Sequence, residues 1–223
     1  MMSADLIDRF PALDAVAGLT HGFVCRHPEV DVKTDRDTAI ARLQPHYENC
    51  FATLGFAPSA LVTGEQVHSD HVEVCGLDGI EHREYPATDA LVTNCVGQFL
   101  GIYVADCGAV YVVDPVKQAI GLAHSGKKGA EMGITARVVQ TMKDSFGSDP
   151  KDLIVQISPC IRTPDYDIDF VSQIIQSARD SGVPENQIHD CCVSTSRDLD
   201  RYYSYRIEKG ETGRLLAVLG WSA

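Results

Sequence analysis

The sequence of 223 residues predicts an α+β domain, spanning residues 1–223, with a largely antiparallel or mixed sheet. Apolar runs of strand length recur along the chain, and segments with the apolar spacing of a helix lie among them. The two kinds of segment do not alternate regularly, as they would in a series of βαβ units. We find no internal repeat and no low-complexity linker, so nothing in the sequence marks a domain boundary.

Short apolar segments predict the β-strands. They span residues 19–26, 60–63, 90–93, 100–105, 110–113, 119–123, 153–157, 201–206 and 214–219. The alternating segment 64–75 predicts a strand pair or one bent strand. Residues three apart in a strand face opposite sides, so His68 and His71 are poor candidates to share a metal.

Apolar residues at helical spacing predict three helices. The first spans Thr38–Leu54, where Pro45 should kink or divide it. The second spans Ala130–Phe146, and the third spans Phe170–Ala178. A glycine follows each of the first two segments, as is common where a helix ends.

The composition narrows the class of protein. A net charge of −12 argues against a general nucleic-acid binder, which needs a basic surface, but it permits a small anionic substrate. Eight cysteines without C-x-x-C pairs, two of them adjacent, favour a reduced protein over a disulfide framework. The first ten residues hold no signal-peptide core, and no apolar run reaches the roughly 20 residues of a membrane span. We therefore expect a cytoplasmic protein with no membrane partner.

Cys107 and His124 are well placed for chemistry, because each lies at the edge of an apolar run, 17 positions from the other. A cysteine with a histidine is either a nucleophile with its base or two ligands of a soft metal. The spacing alone does not decide between these chemistries. His124 also precedes a glycine-rich turn whose backbone N–H groups could bind an anion where a helix begins, with Lys127 and Lys128 adding charge.

Six short motifs follow one another along the chain. They are GEQVH at 64–68, ATDALVT at 87–93, ADC at 105–107, AHSGKKG at 123–129, SPCI at 158–161 with Tyr166 downstream, and YYSYR at 202–206 followed by TGR. In this order they resemble the YfiH family, also called multicopper polyphenol oxidoreductases or laccase-domain proteins. The resemblance extends over nearly the whole chain, from HGFVCR to TGRLLAVLGW.

The resemblance implies a layered α/β/β/α fold, related to the catalytic domain of cytotoxic necrotizing factor. It implies a zinc site built from His68, Cys107 and His124. It also implies a purine nucleoside phosphorylase that acts on adenosine and inosine, with adenosine deaminase activity and cleavage of methylthioadenosine. The partners would be a small nucleoside and phosphate. Older descriptions of the family are copper laccase and cysteine hydrolase.

The ligand types agree with zinc. Two imidazoles and one thiolate suit a tetrahedral Zn²⁺ whose fourth position stays open. A laccase needs several coppers, commonly bound through H-x-H pairs, and the sequence has no H-x-H, so copper is the weaker hypothesis. A metal-free hydrolase or deamidase using Cys107 and His124 stays an alternative, in which His68 would have no role. A catalytically weakened binding protein is another.

Phosphorolysis needs an anion site near the ribose and stabilisation of the departing base. Arginines beside apolar runs could bind a carboxylate or phosphate, and they are Arg26, Arg162, Arg206 and Arg214. For substrate or phosphate the candidates are Arg26, Gln66, Lys128 and Arg206.

The chain departs from the family pattern HxGWRG, where it has Lys127 for tryptophan and Lys128 for arginine, and Ala109 replaces a proline. An aromatic wall is lost, and a bidentate fork becomes a point charge. The sequence therefore supports zinc binding more firmly than a choice of substrate.

Overall fold

The computed structural model describes residues 6–76 and 83–222, which form two six-stranded mixed sheets and five α-helices. The strands are β1 Ile7–Asp8, β2 Leu19–Val24, β3 Leu61–Gly64, β4 Val72–Val74, β5 Glu84–Tyr85, β6 Ala90–Thr93, β7 Phe99–Val104, β8 Gly108–Asp114, β9 Ala119–Ser125, β10 Ile154–Ile157, β11 Ile188–Asp190 and β12 Leu215–Trp221. The helices are α1 Pro11–Asp14, α2 Arg36–Leu54, α3 Lys127–Glu131, α4 Ile134–Phe146 and α5 Phe170–Asp180. Short 3-10 turns lie at Pro58–Ala60, Pro150–Asp152, Glu185–Gln187 and Thr195–Arg197.

The first sheet has the strand order β1-β2-β12-β7-β3-β5, and the second has the order β11-β10-β8-β9-β6-β4. In the first sheet β1, β2, β12 and β7 are antiparallel neighbours, while β3 runs parallel to β7 and to β5. The second sheet is antiparallel from β10 to β6 and has a parallel strand at each edge. The prediction of mixed sheets is therefore confirmed.

The inner strands of the second sheet, β6, β8, β9 and β10, are buried on both faces, because each face packs on a different layer. Tyr111 and Leu122 pack in the same core as Leu100 of the first sheet. Val110 and Val112, on the other face, pack in a second core with residues of α4 and α5. Helix α2 packs on β2 of the first sheet. These layers confirm the α/β/β/α arrangement, while the relation to cytotoxic necrotizing factor stays a prediction.

Helix α2 is continuous, so Pro45 does not divide it. The Asp35 side chain caps its start by accepting hydrogen bonds from two backbone N–H groups, and Gly55 ends it in the left-handed conformation. Proline removes one helical hydrogen bond. The buried face carrying Leu43, Tyr47 and Phe51 outweighs that loss, since packing supplies most of the stability of a helix.

Three sequence predictions are wrong in detail. The predicted second helix is two helices, α3 and α4, because Gly133 has φ +75° between them. Residues 201–206 are not a strand; the carboxylate of Asp106 accepts hydrogen bonds from the Ser204 hydroxyl and the Arg206 backbone N–H and holds them as turns. Within 64–75 only Gly64 and the short strand β4 are extended strand, and a loop connects them.

Within residues 6–76 and 83–222, no helix is long and apolar enough to cross a membrane. All eight cysteines are free thiols.

Candidate metal centre

His68, Cys107 and His124 converge at one end of the sheets. Their candidate ligand atoms all lie within 4.8 Å of one another, and the rings of His68 and His124 meet edge to face at 4.8 Å. Among the described residues this is the one group of three or more histidine, cysteine or acidic side chains close enough to hold a metal ion. The group lines a cavity of about 650 Å³.

The pairing of β8 with β9 explains how residues 17 positions apart meet. The strands are antiparallel, and Gly108 at the start of β8 lies opposite Ser125 at the end of β9. Cys107 and His124 each precede one member of that pair. The hairpin therefore brings the sulfur and the imidazole together at the same sheet edge.

Asp89 holds two of the three candidate ligands. Its buried carboxylate accepts a hydrogen bond of 2.8 Å from Nδ1 of His124 and bonds from the backbone N–H groups of Val67, His68 and Ser69. A carboxylate only accepts, so the His124 proton is on Nδ1, and Nε2 is left for a metal. Burial alone would raise the pKa of Asp89, but the hydrogen bonds from His124 and Ser69 outweigh it and hold that pKa well below its usual range.

His68 lies in the loop between β3 and β4 with φ +62°, a conformation that non-glycine residues seldom adopt. The Gln66 side chain holds this loop beside β7. Its amide donates to the Tyr103 carbonyl at 2.7 Å, and its oxygen accepts from the Tyr103 N–H at 2.9 Å. Because the segment is a loop rather than a strand, the rule that residues three apart face opposite sides does not apply to His68 and His71. His71 pairs with Glu73.

Cys107 follows a sharp bend at Asp106, which has φ +79° and is buried. The Asp106 carboxylate accepts hydrogen bonds from Thr195, Ser204 and the backbone of Arg206, and its carbonyl accepts from Ile161 N–H at 2.8 Å. Such left-handed residues persist where the surrounding structure fixes them. Asp106 thereby ties the cysteine turn to the loop that precedes β12.

The site stabilises a thiolate at Cys107. Burial alone would raise the pKa of the thiol, but the neighbouring His124 and His68 outweigh burial and lower it. In turn, burial would lower the pKa of His124, but the Cys107 sulfur and the Asp89 carboxylate raise it. A thiolate beside an imidazole is the form that either binds a soft metal or attacks as a nucleophile.

Gly126 makes room for the sulfur. A Cβ added there would overlap Cys107 Sγ, although its φ of −99° suits any residue. We expect Gly126→Ala to destabilise the fold by about 1–3 kcal/mol, as overpacking does. In a Cys107→Ala background the same change should cost close to nothing, because the overlapping atom is gone. Chemical denaturation of the four proteins of this cycle measures both values, and an equal cost in the two backgrounds would contradict the explanation.

The cavity receives some of the predicted substrate residues and not others. Gln66 and Arg206 line it. Lys127 lines it in place of the exposed Lys128. Arg26 is not among the lining residues; its guanidinium binds Glu208 at 2.9 Å and lies over the ring of Tyr203.

Among the lining residues, the sequence reasoning missed Tyr103, Phe170, Tyr205, Arg36 and Lys209. Aromatic side chains of the wall are Tyr103, Tyr166, Phe170 and Tyr205. The cationic side chains are Arg36, Lys127, Arg206, Lys209 and Arg214. The site is therefore locally cationic in an acidic chain. Arg36 falls in what the sequence presents as a polar loop, so no periodic signal singled it out.

The fold and the site together define the class of protein. Its members have two mixed sheets packed between helices, and two imidazoles and one thiol line a cationic cavity. A family model described as multi-copper polyphenol oxidoreductase laccase matches residues 29–171 and 164–222. The chain belongs to this family, which confirms the resemblance indicated by the motifs.

Known proteins agree with that assignment. The chain is 28% identical to the purine nucleoside phosphorylase YlmD of Bacillus subtilis, over 93% of this chain and 88% of that protein. It is 31% identical to a purine nucleoside phosphorylase of Deinococcus radiodurans, over 76% and 73%. The crystal structure of the hypothetical protein YfiH of Bacillus licheniformis matches with a TM-score of 0.81 at 23% identity, covering 91% and 92% of the two chains.

Proposed function

We propose that this protein is a zinc-dependent purine nucleoside phosphorylase. The observation that carries the proposal is the convergence of His68, Cys107 and His124 on a cavity that is lined by cations and aromatic rings. The relatives named purine nucleoside phosphorylase support the reaction class. Adenosine deamination and cleavage of methylthioadenosine belong to the same proposal as further activities of the site.

The donor set fits zinc. His68 and His124 offer imidazole nitrogens and Cys107 a thiolate, which are the ligand types of a three-ligand site with an open position. His124 has its second nitrogen bound to a carboxylate, as metal-binding histidines commonly do. When bound, zinc supplies Lewis-acid polarisation of a substrate atom or of a water.

The cavity residues supply the rest of the chemistry. Phosphate attacks C1′ of the ribose, the bond from C1′ to the base nitrogen breaks, and the purine leaves with the electron pair. The cationic side chains raise the local concentration of phosphate and stabilise the negative charge that develops on the base. The aromatic rings of Tyr166 and Tyr205 line the cavity, where a purine can stack. The guanidinium groups of Arg206 and Arg214 lie over these two rings.

A metal-free cysteine hydrolase is the second candidate. The lowered pKa of Cys107 beside His124 favours it, because a thiolate with an adjacent imidazole is the nucleophile of such enzymes. In such an enzyme His68 would only help to lower the pKa of the Cys107 thiol and would bind no metal. Selective alkylation of Cys107, with activity that survives a chelator, would support it over the zinc enzyme.

We expect the purified protein to release free base and ribose 1-phosphate from adenosine, inosine or methylthioadenosine only when phosphate is present. Chromatography of the products, with and without phosphate, checks this. Inosine formed from adenosine would establish the deaminase activity. Protein that contains zinc but turns over none of the three substrates would contradict the phosphorylase and leave the binding protein.

A further inference from the structure

We propose that Arg36 and Arg214 form a binding site for a phosphoryl group inside the cavity. As the site of the attacking phosphate, this inference rests on the proposed phosphorylase; as an anion site it stands on the contacts below. The group is either free phosphate or a phosphate carried by the nucleoside. Arg26 and Lys128, the cations first considered for this role, do not line the cavity.

Arg214 presents an unused donor edge. Its Nη1 donates to the backbone carbonyls of Thr212 at 3.0 Å and Gly213 at 2.9 Å, which fixes the plane of the guanidinium. The Tyr47 hydroxyl donates to the Arg214 carbonyl at 2.8 Å and fixes the backbone. Within residues 6–76 and 83–222, neither Nε nor Nη2 of Arg214 has a hydrogen-bond partner and no carboxylate pairs with the side chain, whose guanidinium lies over the ring of Tyr205.

Arg36 adds a second positive charge to the same cavity. Its ion pair with Asp37 is weak, because the Asp37 side chain is 86% exposed and solvent screens the pair. Arg36 and Arg214 line the same cavity. Burial lowers the pKa of Arg214 most, and the like charge of Arg36 lowers it further. Two guanidinium groups that repel each other in a half-buried wall are stabilised by an anion bound to both.

The chemistry of the pair favours phosphate over a carboxylate. One carboxylate offers two oxygens and a single charge, which one arginine fork saturates. A phosphoryl group carries more charge and offers three or more oxygens in a tetrahedral arrangement, so two forks can bind it at once. The cavity also contains the aromatic rings and the cysteine–histidine group, which places the anion near a bound nucleoside.

Calorimetric titration of the full chain with inorganic phosphate, and separately with a nucleoside 5′-monophosphate, tests the site. Arg36→Gln and Arg214→Gln should each weaken binding about 10- to 100-fold, the worth of a charge-assisted hydrogen bond. Arg214→Lys should recover only part of the loss, because it restores the charge without the fork. Arg42→Gln is the matched control: Arg42 lies on the same helix, is exposed and pairs with Asp31, so its loss should leave affinity within about twofold.

The outcomes separate this site from the phosphorylase. Weakened binding of inorganic phosphate supports the site with free phosphate as its ligand, and weakened binding of the monophosphate alone supports it with substrate phosphate. Unchanged affinity in both Gln variants, or no binding of either anion by the native protein, overturns the site. Nucleoside phosphorolysis in which the variants keep both the native KM for phosphate and the native affinity for the monophosphate would uphold the enzyme and remove the site. Weakened anion binding in the variants, with no base release by the native protein, would uphold the site and contradict the phosphorylase. Among the described residues the Arg36 side chain bonds to the exposed Asp37 alone, so Arg36→Gln should fold and still tests the site if Arg214→Gln does not fold.

Discussion

Replacing Cys107 by serine should remove the metal and the activity together. A serine hydroxyl stays protonated near neutral pH and is a poor zinc ligand, so two imidazoles alone would be left. We expect zinc content to fall from about one ion per chain to near zero. Nucleoside cleavage should fall about 100-fold or more, since a metal in such a site supplies several kcal/mol. Elemental analysis and the phosphorolysis assay on the same preparation measure both.

Cys192→Ser provides the matched control. Cys192 is exposed, and among the described residues the hydrogen bonds of its sulfur go to Asp190, so the substitution should change neither zinc content nor rate. Retained activity in Cys107→Ser protein without zinc would show that the metal has no part in the reaction. Full zinc content with lost activity would instead favour Cys107 as the nucleophile.

Replacing Asp89 by asparagine should have the largest effect on stability. The amide oxygen can keep some of the hydrogen bonds that converge on the carboxylate, but the amide NH₂ would face backbone N–H groups and the His124 Nδ1–H, which are all donors. Leaving buried donors unpaired costs about 3 kcal/mol. For a chain of this size the melting temperature should fall by roughly 6–12 °C.

The same substitution should weaken zinc binding about 10- to 100-fold, because His124 loses the group that fixes its tautomer and orientation. Thermal melting and a zinc competition titration give the two readouts. Asp165→Asn is the control: its carboxylate is partly exposed and accepts hydrogen bonds from Ser196 and from the exposed Arg197, so it should shift the melting temperature by less than about 2 °C. An Asp89→Asn protein as stable as the native one, with native zinc affinity, would contradict the positioning role.

Local sequence patterns predicted the strands and helices well where packing agrees with periodicity. Strands β6 to β10 and helix α5 lie where the apolar spacing placed them, within a few residues. The errors fall where a long-range contact decides. Residues 201–206 have the composition of a strand, but Asp106, about 100 positions earlier, holds them in turns.

The candidate site was only partly visible from the residues. A hairpin suffices to bring Cys107 to His124, so local reasoning could pair them. His68 came from the family resemblance, since strand geometry gave no reason to choose it. Asp89 appeared within a motif, yet its role depends on donors from two separate segments, the loop at 67–69 and His124, which spacing does not encode.

The choice between Arg26 and Arg36 also lay beyond the sequence. Both precede or follow apolar segments and carry the same charge. Whether each side chain lines the cavity depends on how α2 packs on the first sheet and on the ion pair of Arg26 with Glu208. A linear pattern contains neither fact.

The two lysines after Gly126 bear on how this protein can diversify. Lys127 is about half exposed and only loosely paired with Glu131 at 4.0 Å, and Lys128 is on the surface. The carboxylates of Asp89 and Asp106, which hold the candidate ligand segments in place, lie elsewhere in the chain. Substitution of Lys127 can therefore alter what enters the cavity while the fold tolerates the change. A library of substitutions at position 127 should consequently yield many well-folded variants with altered selectivity, so selectivity can change there without a matching loss of stability.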